Sequence, residues 1–536
     1  MVSLAPLRAA RTRPGARTPA PPAWLVGAGV LVALLGLLPV GYLAILAGSS
    51  EDAASLVLRD RTLGVLARTL LLAGIVTTAS ILIGVPVAWL TARSDLAGRR
   101  AWTILTLVPL VVPSYVGGYA VVATFGPRGA LQTLLEPLGV DRLPDLYGLP
   151  GAALALTLFS FPYVVLSVRG TLLRLDPAFE EVSRSLGRGP WRTFFSVTLP
   201  QLRPAITSGA LLVALYSLAD FGAVSLLQFD SFTRAIYVQY RSSFDPTLAA
   251  VLALMLVACT AGVLLAEAQL RGRGRYHRSG GGAARPAAVV ALGPWRWPAL
   301  AFLATVVGLA VLVPVGTIGF WLVRGLNSGE TFAPVWGAAL NSVAASGLAA
   351  VLAVLASIPV AVLAVRHRGF VAMLVERGSY VGFALPGIVI GLALVFVAAR
   401  YLPWIYQTLP LLLVAYLIRF VPEAVGVTRA SLLQVSPRLE EVARTLGRSP
   451  GDVLRQVTLP IIRPGLVAGG ALVFLTAMKE LPTTILLAPT GFDTLAVRIW
   501  SATSEGFFAR AAPPALLMVL VAAASLWFVL RQERGR

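Results

Sequence analysis

The side chains in this sequence with chemistry to offer fall into two groups, and both repeat at one interval. The first group opens a pair of matching loops. Glu180 and Glu181 begin EEVSRSLGRGPWRTFFSVTLP (180–200), and Glu440 and Glu441 begin EEVARTLGRSPGDVLRQVTLP (440–460). The copies lie 260 residues apart, and 17 of the 35 positions from Gly170 to Pro204 are identical to their partners. The second group is set among apolar residues: Asp220, Arg419, Glu423, Lys479 and Glu480. Asp220 and Glu480 are again 260 apart.

Charges with such flanks have restricted options. Each costs about 2.5–3.5 kcal/mol at the centre of a bilayer, so it must face a protein interior or a wet cavity and find a partner. Arg419 and Glu423 are four residues apart and so share one helical face. With Arg68, three cations stand against Asp220, Glu423 and Glu480. One reading makes them interhelical ion pairs that fix packing. A second makes Asp220 and Glu480 symmetric pathway or gate residues. The two readings are compatible.

Several chemistries find no support. A phosphate-binding loop needs Lys after Gly in G-x-x-x-x-G-K-S/T, but the one lysine, Lys479, follows Met478. The chain is therefore not expected to hydrolyse ATP. Cys259 is the one cysteine, which excludes a disulfide or thiolate metal site. His277 and His367 sit far apart in basic segments, and no His, Cys or carboxylate cluster has metal-ligand spacing. No cofactor or metal is expected on this chain.

The elements that must position these residues are membrane helices. The chain is 57% hydrophobic and 13% charged, more apolar than a soluble domain requires. Twelve runs are long enough to cross a bilayer as helix: 24–47, 66–91, 101–125, 149–171, 204–228, 246–270, 297–323, 337–365, 378–399, 408–428, 465–488 and 511–530. The first run is too long for a signal-peptide core and is read as a retained helix. A Gly-, Arg- and Pro-rich linker, 271–296, joins a first domain (24–270, helices 1–6) to a second (297–536, helices 7–12), with 1–23 as a tail.

Sorting charge by loop sets the orientation. The tails, the linker and every second loop hold 31 Arg and far fewer acids, while the alternate loops hold 10 Arg against 11 acids. The net charge of +20 thus lies on one face, as the positive-inside rule expects, and calls for no nucleic acid. Both termini and both duplicated loops are predicted cytoplasmic. An even helix number per half makes the halves parallel repeats. The expected fold is an all-α polytopic membrane protein.

Each loop reads as a rigid helix–turn–helix. Asp176-Pro177 and Ser436-Pro437 are start signals, the early Glu residues suit the helix dipole, and Gly187 and Gly447 mark the stops. A second short helix is expected to run to Leu199-Pro200 and Leu459-Pro460.

These residues resemble a known family, the permeases of type I binding-protein-dependent ABC importers. Its signature runs Glu-Ala-Ala, Gly, then an aliphatic residue two before Leu-Pro. The first copy has Glu181-Val182-Ser183, Gly187, Val197 and Leu199-Pro200; the second has Glu441-Val442-Ala443, Gly447, Val457 and Leu459-Pro460. Val replaces the first Ala in both copies, and Ser183 replaces the second in one. The resemblance implies that Glu180, Glu181, Gly187, Leu199, Pro200 and their partners Glu440, Glu441, Gly447, Leu459 and Pro460 dock a dimer of separate ATPase subunits, which carry ATP and Mg²⁺. It also implies a periplasmic or lipid-anchored substrate-binding protein. The segments 218–240 and 478–512, above all Lys479-Glu480-Leu481-Pro482-Thr483-Thr484, resemble fused permeases for iron(III). Permeases for thiamine, polyamines, sulfate or phosphonates share looser versions. An ion-coupled secondary carrier with twelve helices is the rival class, and it leaves the duplicated loops unexplained.

Overall fold

Apolar length dictates the architecture, and proline dictates where it breaks. The computed structural model describes residues 21–49, 53–127, 129–139, 143–242, 246–270, 289–332, 334–367 and 369–534. Most of the linker, with His277, and nearly all of the N-terminal tail lie outside the described residues. Nine helices among them are long and apolar enough to cross a membrane, from Ala23–Gly48 to Pro450–Met478. Two further spans are bent pairs, Arg99–Leu110 with Ser114–Leu138 (95°) and Phe370–Ala384 with Gly387–Tyr401 (105°). The apolar stretch Phe508–Val521 opens a last helix that runs to Arg534. Together these account for the twelve runs.

Two of the runs, 101–125 and 378–399, are sharply bent. Pro113 and Pro386 sit at the bends with extended backbone (ψ 148° and 143°). Proline pushes its predecessor out of the helical region, and Leu385 is extended accordingly (φ −90°, ψ 122°). Two other runs are interrupted rather than bent. Leu199–Ala219 stops at Asp220 before the short helix Gly222–Leu226, and Leu459–Met478 stops at Lys479 before Pro482–Leu487.

In the first half, Asp60–Arg93, Leu149–Leu172 and Leu199–Ala219 pack on one another. In the second, Val335–Arg366, Leu409–Leu433 and Leu459–Met478 do the same. The first helix of each half crosses to the other. Leu25 and Val32 of Ala23–Gly48 share a buried apolar cluster with Val360, Val375 and Val421. Val313–Asn327 lies against Ser114–Phe125, where Trp321 Nε1 donates to the Ala123 carbonyl at 3.0 Å and the Thr124 and Thr317 hydroxyls meet at 2.5 Å. The repeats of the sequence are thus interleaved in space.

Candidate functional site

The duplicated loops fold alike. Each opens with a short helix, Ala178–Ser185 or Pro437–Thr445. Asp176 caps the first as expected, accepting from the Ala178 N–H at 3.1 Å. The expected capping by Ser436 is not made; its carbonyl, rather than its side chain, receives the Leu439 N–H. Both helices end in the same Schellman turn. Gly187 and Gly447 have φ of +79° and +81°, and their N–H groups donate to the Arg184 and Arg444 carbonyls. Arg188 and Arg448 N–H donate back to Ser183 and Ala443. Glycine is needed there because L side chains are strained in the left-handed region.

The second helix does not stop at Leu-Pro. Pro190–Thr193 runs through a π turn, Phe194–Thr198, into the span that begins at Leu199, and Pro450–Val453 does the same through Leu454–Thr458. Pro200 and Pro460 cannot supply the helical N–H, and the one-residue bulge ahead of each admits the ring without breaking the helix. Leu199 and Leu459 are therefore half-buried footings of the spans.

The two glutamates of each pair point opposite ways. Glu180 turns inward: Arg93 Nη2, at the end of a span, donates to its Oε1 at 3.2 Å, and Thr198 Oγ1 donates to the same oxygen at 2.8 Å. Glu440 repeats this with Arg366 Nε at 3.0 Å and Thr458 at 3.1 Å. Glu181 and Glu441 are exposed. One carboxylate thus clasps the loop to the spans, and the other faces outward. The clasps are unequal. Arg366 also reaches the Val435 carbonyl at 3.0 Å, whereas Arg93 is buried with Nε and Nη1 unpartnered.

Beneath each helix a buried contact is made in two chemistries. Ser183 and Thr193 share a hydrogen bond of 3.1 Å; the equivalent residues, Ala443 and Val453, are apolar and equally buried. Above, each helix exposes an apolar stripe in one register: Phe179, Val182 and Leu186, then Leu439, Val442 and Leu446. The first copy adds Trp191 and Phe195, exposed and stacked at 6.3 Å. Exposed stripes of this kind mark interaction surfaces.

Asp220, Lys479 and Glu480 sit at the helix interruptions, Arg419 and Glu423 lie within the unbroken helix Leu409–Leu433, and only some of the five pair. Asp220 accepts the N–H groups of Ala223 (3.0 Å) and Val224 (3.2 Å) and has Ser114 as a further hydrogen-bond partner. Among the described residues it forms no ion pair, contrary to the expectation of pairing. It instead satisfies the free N–H groups of the helix that restarts after it. Glu480 does this for the second half, accepting the Thr483 N–H (3.2 Å) and hydroxyl (2.6 Å), and also pairs with Arg419 at 3.3 Å. The longer Glu side chain has room because Gly387 faces it; a Cβ there would meet Oε1 at 2.3 Å. Lys479 reaches the Leu110 carbonyl of the other half at 3.4 Å. Glu423 takes its hydrogen bond from Thr476 Oγ1 at 2.9 Å, not from Arg419. Arg68 is exposed and balances none of these acids.

Beyond these interruptions, away from the duplicated loops, aromatic rings join the halves. Phe221, Tyr237 and Trp500 have centroids 5.0–5.9 Å apart. Two interior tyrosines escaped the sequence reading. Tyr163 and Tyr216 pack at 5.8 Å, and they occupy the positions that Glu423 and Thr476 hold in the second half.

This combination of interrupted spans, interleaved repeats and twin loops belongs to the transport permeases. The binding-protein-dependent transport system inner membrane component family matches the chain twice, over residues 81–273 and 353–535. The chain belongs to that family and is a multi-pass inner-membrane protein. It is 36% identical over 509 residues to the Fe(3+)-transport system permease protein FbpB 2 of Haemophilus influenzae, covering 93% of this chain and 96% of that protein. It is 25% identical over 490 residues to the ferric transport system permease protein FbpB of Actinobacillus pleuropneumoniae, covering 87% and 70%. The molybdenum transport system permease protein ModB of Escherichia coli is similar over 146 residues at 36% identity, 26% of this chain and 60% of that protein.

Proposed function

We propose that this chain supplies both membrane-spanning halves of an ATP-driven importer of iron(III). The observation that carries the ATP-driven part is the twin loop: two Schellman-ended helices, each clasped from below and each exposing the same apolar stripe. Equivalent surfaces on one face suit a dimer of separate ATPase subunits, which hold the ATP and Mg²⁺. Both loops and both termini are then cytoplasmic, a placement that the arginine distribution supports. A binding protein on the opposite side delivers the substrate. Iron(III) is favoured because the relative matched over 93% of this chain is a permease for that ion; thiamine, polyamine, sulfate and phosphonate are the alternative cargoes.

The mechanism is alternating access. Closure of the ATPase dimer draws the two docking helices together, and the clasps transmit that motion to the spans ending at Arg93 and Arg366. The Phe221–Tyr237–Trp500 contact parts and admits the substrate; hydrolysis resets it. The test is ⁵⁵Fe(III) uptake by cells expressing the chain with its ATPase and binding protein, with and without ATP depletion. Uptake that persists without ATP but collapses with the ion gradient would instead identify a secondary carrier.

A further inference from the structure

We propose that the groove between the span Gly293–Asn327 and the short helix Ala130–Leu135 holds an acyl chain of one glycerophospholipid, whose phosphate rests on Arg324. The groove has a volume of about 670 Å³ and is open along one side, within the roughly 300–1,000 Å³ of small-molecule sites. It follows the span from Phe320 to Thr305, a run of about 22 Å at about 1.5 Å per residue. Leu131 and Leu134 line its other wall.

The sequence builds this groove. Pro314 cannot supply a helical N–H, and the π turn Gly308–Leu312 ahead of it keeps the helix continuous, as the π turns ahead of Pro200 and Pro460 do. Gly308 opens that turn and Gly316 follows it. A Cβ at either would meet nothing within 4 Å, so the missing side chains leave open space. The lining also leaves no polar side chain free for water. The Thr124 and Thr317 hydroxyls bond each other, and the Thr305 hydroxyl donates to the Ala301 carbonyl at 2.9 Å. A cavity water needs about two to four polar partners, so hydrocarbon fits this lining and water does not.

The mouth of the groove has the opposite chemistry. The span starts beside the first clasp, where the Leu292 N–H donates to Asp95 Oδ1 at 3.0 Å, so Arg324 near its far end lies at the other membrane face. Arg324 stands one turn beyond Phe320. Its guanidinium is 5.2 Å from the Trp321 ring and 6.0 Å from the Phe320 ring, and Nη1 is 3.4 Å from Thr133 Oγ1 on the facing helix. Among the described residues it has no acidic partner, since Glu330 is held by Arg510 at 2.5 Å. An arginine fork can meet a phosphate with two hydrogen bonds, and Trp is enriched at headgroup depth. Free cation above and hydrocarbon lining below describe a phospholipid. It sits on the seam between the halves, because the span belongs to the second and Ala130–Leu135 to the first.

The experiment places the full chain in nanodiscs of phosphatidylglycerol and phosphatidylethanolamine with a minor share of dioleoylglycerol. Native mass spectrometry after release into detergent then counts the lipid that stays bound, per mole offered. Wild type should retain phospholipid over dioleoylglycerol, and a bias between the two phospholipids names the headgroup. Gly316→Leu fills the groove and should abolish that retention, while Arg324→Gln should weaken it at least about tenfold. Arg400→Gln, at an arginine stacked on Tyr401 outside the groove, should change nothing. A cooperative thermal melt shows that a variant is folded, and Gly308→Leu replaces Gly316→Leu if that one is not. Retention unchanged in either the groove-filling variant or Arg324→Gln overturns the site. So does dioleoylglycerol held as firmly as phospholipid, or a dimer of this chain that filling the groove abolishes.

Discussion

Replacing Glu440 by Gln tests the clasp where its parts are best defined. The substitution keeps the shape and the Thr458 contact but removes the charge that Arg366 meets at 3.0 Å. Removing one partner of a buried ion pair costs about 3–5 kcal/mol. Arg366 keeps some solvent contact (14%) and its Val435 carbonyl, so the cost falls at or below the foot of that range, about 2–3 kcal/mol. At 1.36 kcal/mol per decade this is a roughly 30- to 150-fold rise in local opening. Because the loop is anchored through few contacts, the cost falls on local opening rather than on the whole fold. Hydrogen–deuterium exchange of the amides in Pro437–Thr445, in nanodiscs, reads that rise directly. Glu441→Gln, on the exposed neighbour, should leave the rates unchanged. Glu180→Gln should act more strongly than Glu440→Gln, since it strands an Arg93 that is 2% exposed and already has two unpartnered nitrogens. Equal exchange in E440Q and wild type, or an E441Q effect of the same size, would refute the division between an inward and an outward glutamate.

Other outcomes follow from the same geometry. Gly187→Asp with Gly447→Asp forces L residues into positive φ, at about 1–2 kcal/mol each, and places carboxylates on the docking face; insertion should survive while ATPase pull-down is lost. Ser183→Ala alone strands the Thr193 hydroxyl and should cost about 1–3 kcal/mol, whereas Ser183→Ala with Thr193→Val should be near neutral because the second copy already holds that apolar pair; thermal melts of the two variants decide. Asp220→Asn should retain the helix cap and alter stability by less than about 0.5 kcal/mol, while Glu480→Gln, which leaves Arg419 with the Leu385 carbonyl but no counter-charge, should lower the melting temperature clearly. If Asp220→Asn melts like wild type yet stops uptake, Asp220 serves the pathway and not packing alone.

Twelve apolar runs and a duplicated loop were legible because hydropathy and exact repetition survive without knowledge of contacts. The interruptions at Asp220 and Lys479 were not. A carboxylate within an apolar run reads as a costly intruder in a continuous helix, whereas here it caps a new one. The bends at Pro113 and Pro386 carried a signal, proline inside a spanning run, whose effect depends on what packs beside it. Which glutamate of each pair turns inward depends on Arg93 and Arg366, some 75–90 residues away. Tyr163 and Tyr216 read as ordinary membrane aromatics. Only the 260-residue interval, carried beyond the loops to Glu423 and Thr476, would have singled them out.

The crossing of the first helices bears on how the chain is made. Ala23–Gly48 packs on Pro246–Leu270 of its own half, but also on Val335–Arg366 and Phe370–Ala384, which are synthesised more than half the chain later. Until then the face that carries Leu25 and Val32 must rest against lipid, and the first half cannot complete its own packing. Biogenesis is thus a lagging, long-range closure, and a nascent chain arrested in the linker would expose an unburied helix to membrane quality control. Separating the gene at the linker would have to preserve this late rendezvous between two independently inserted products.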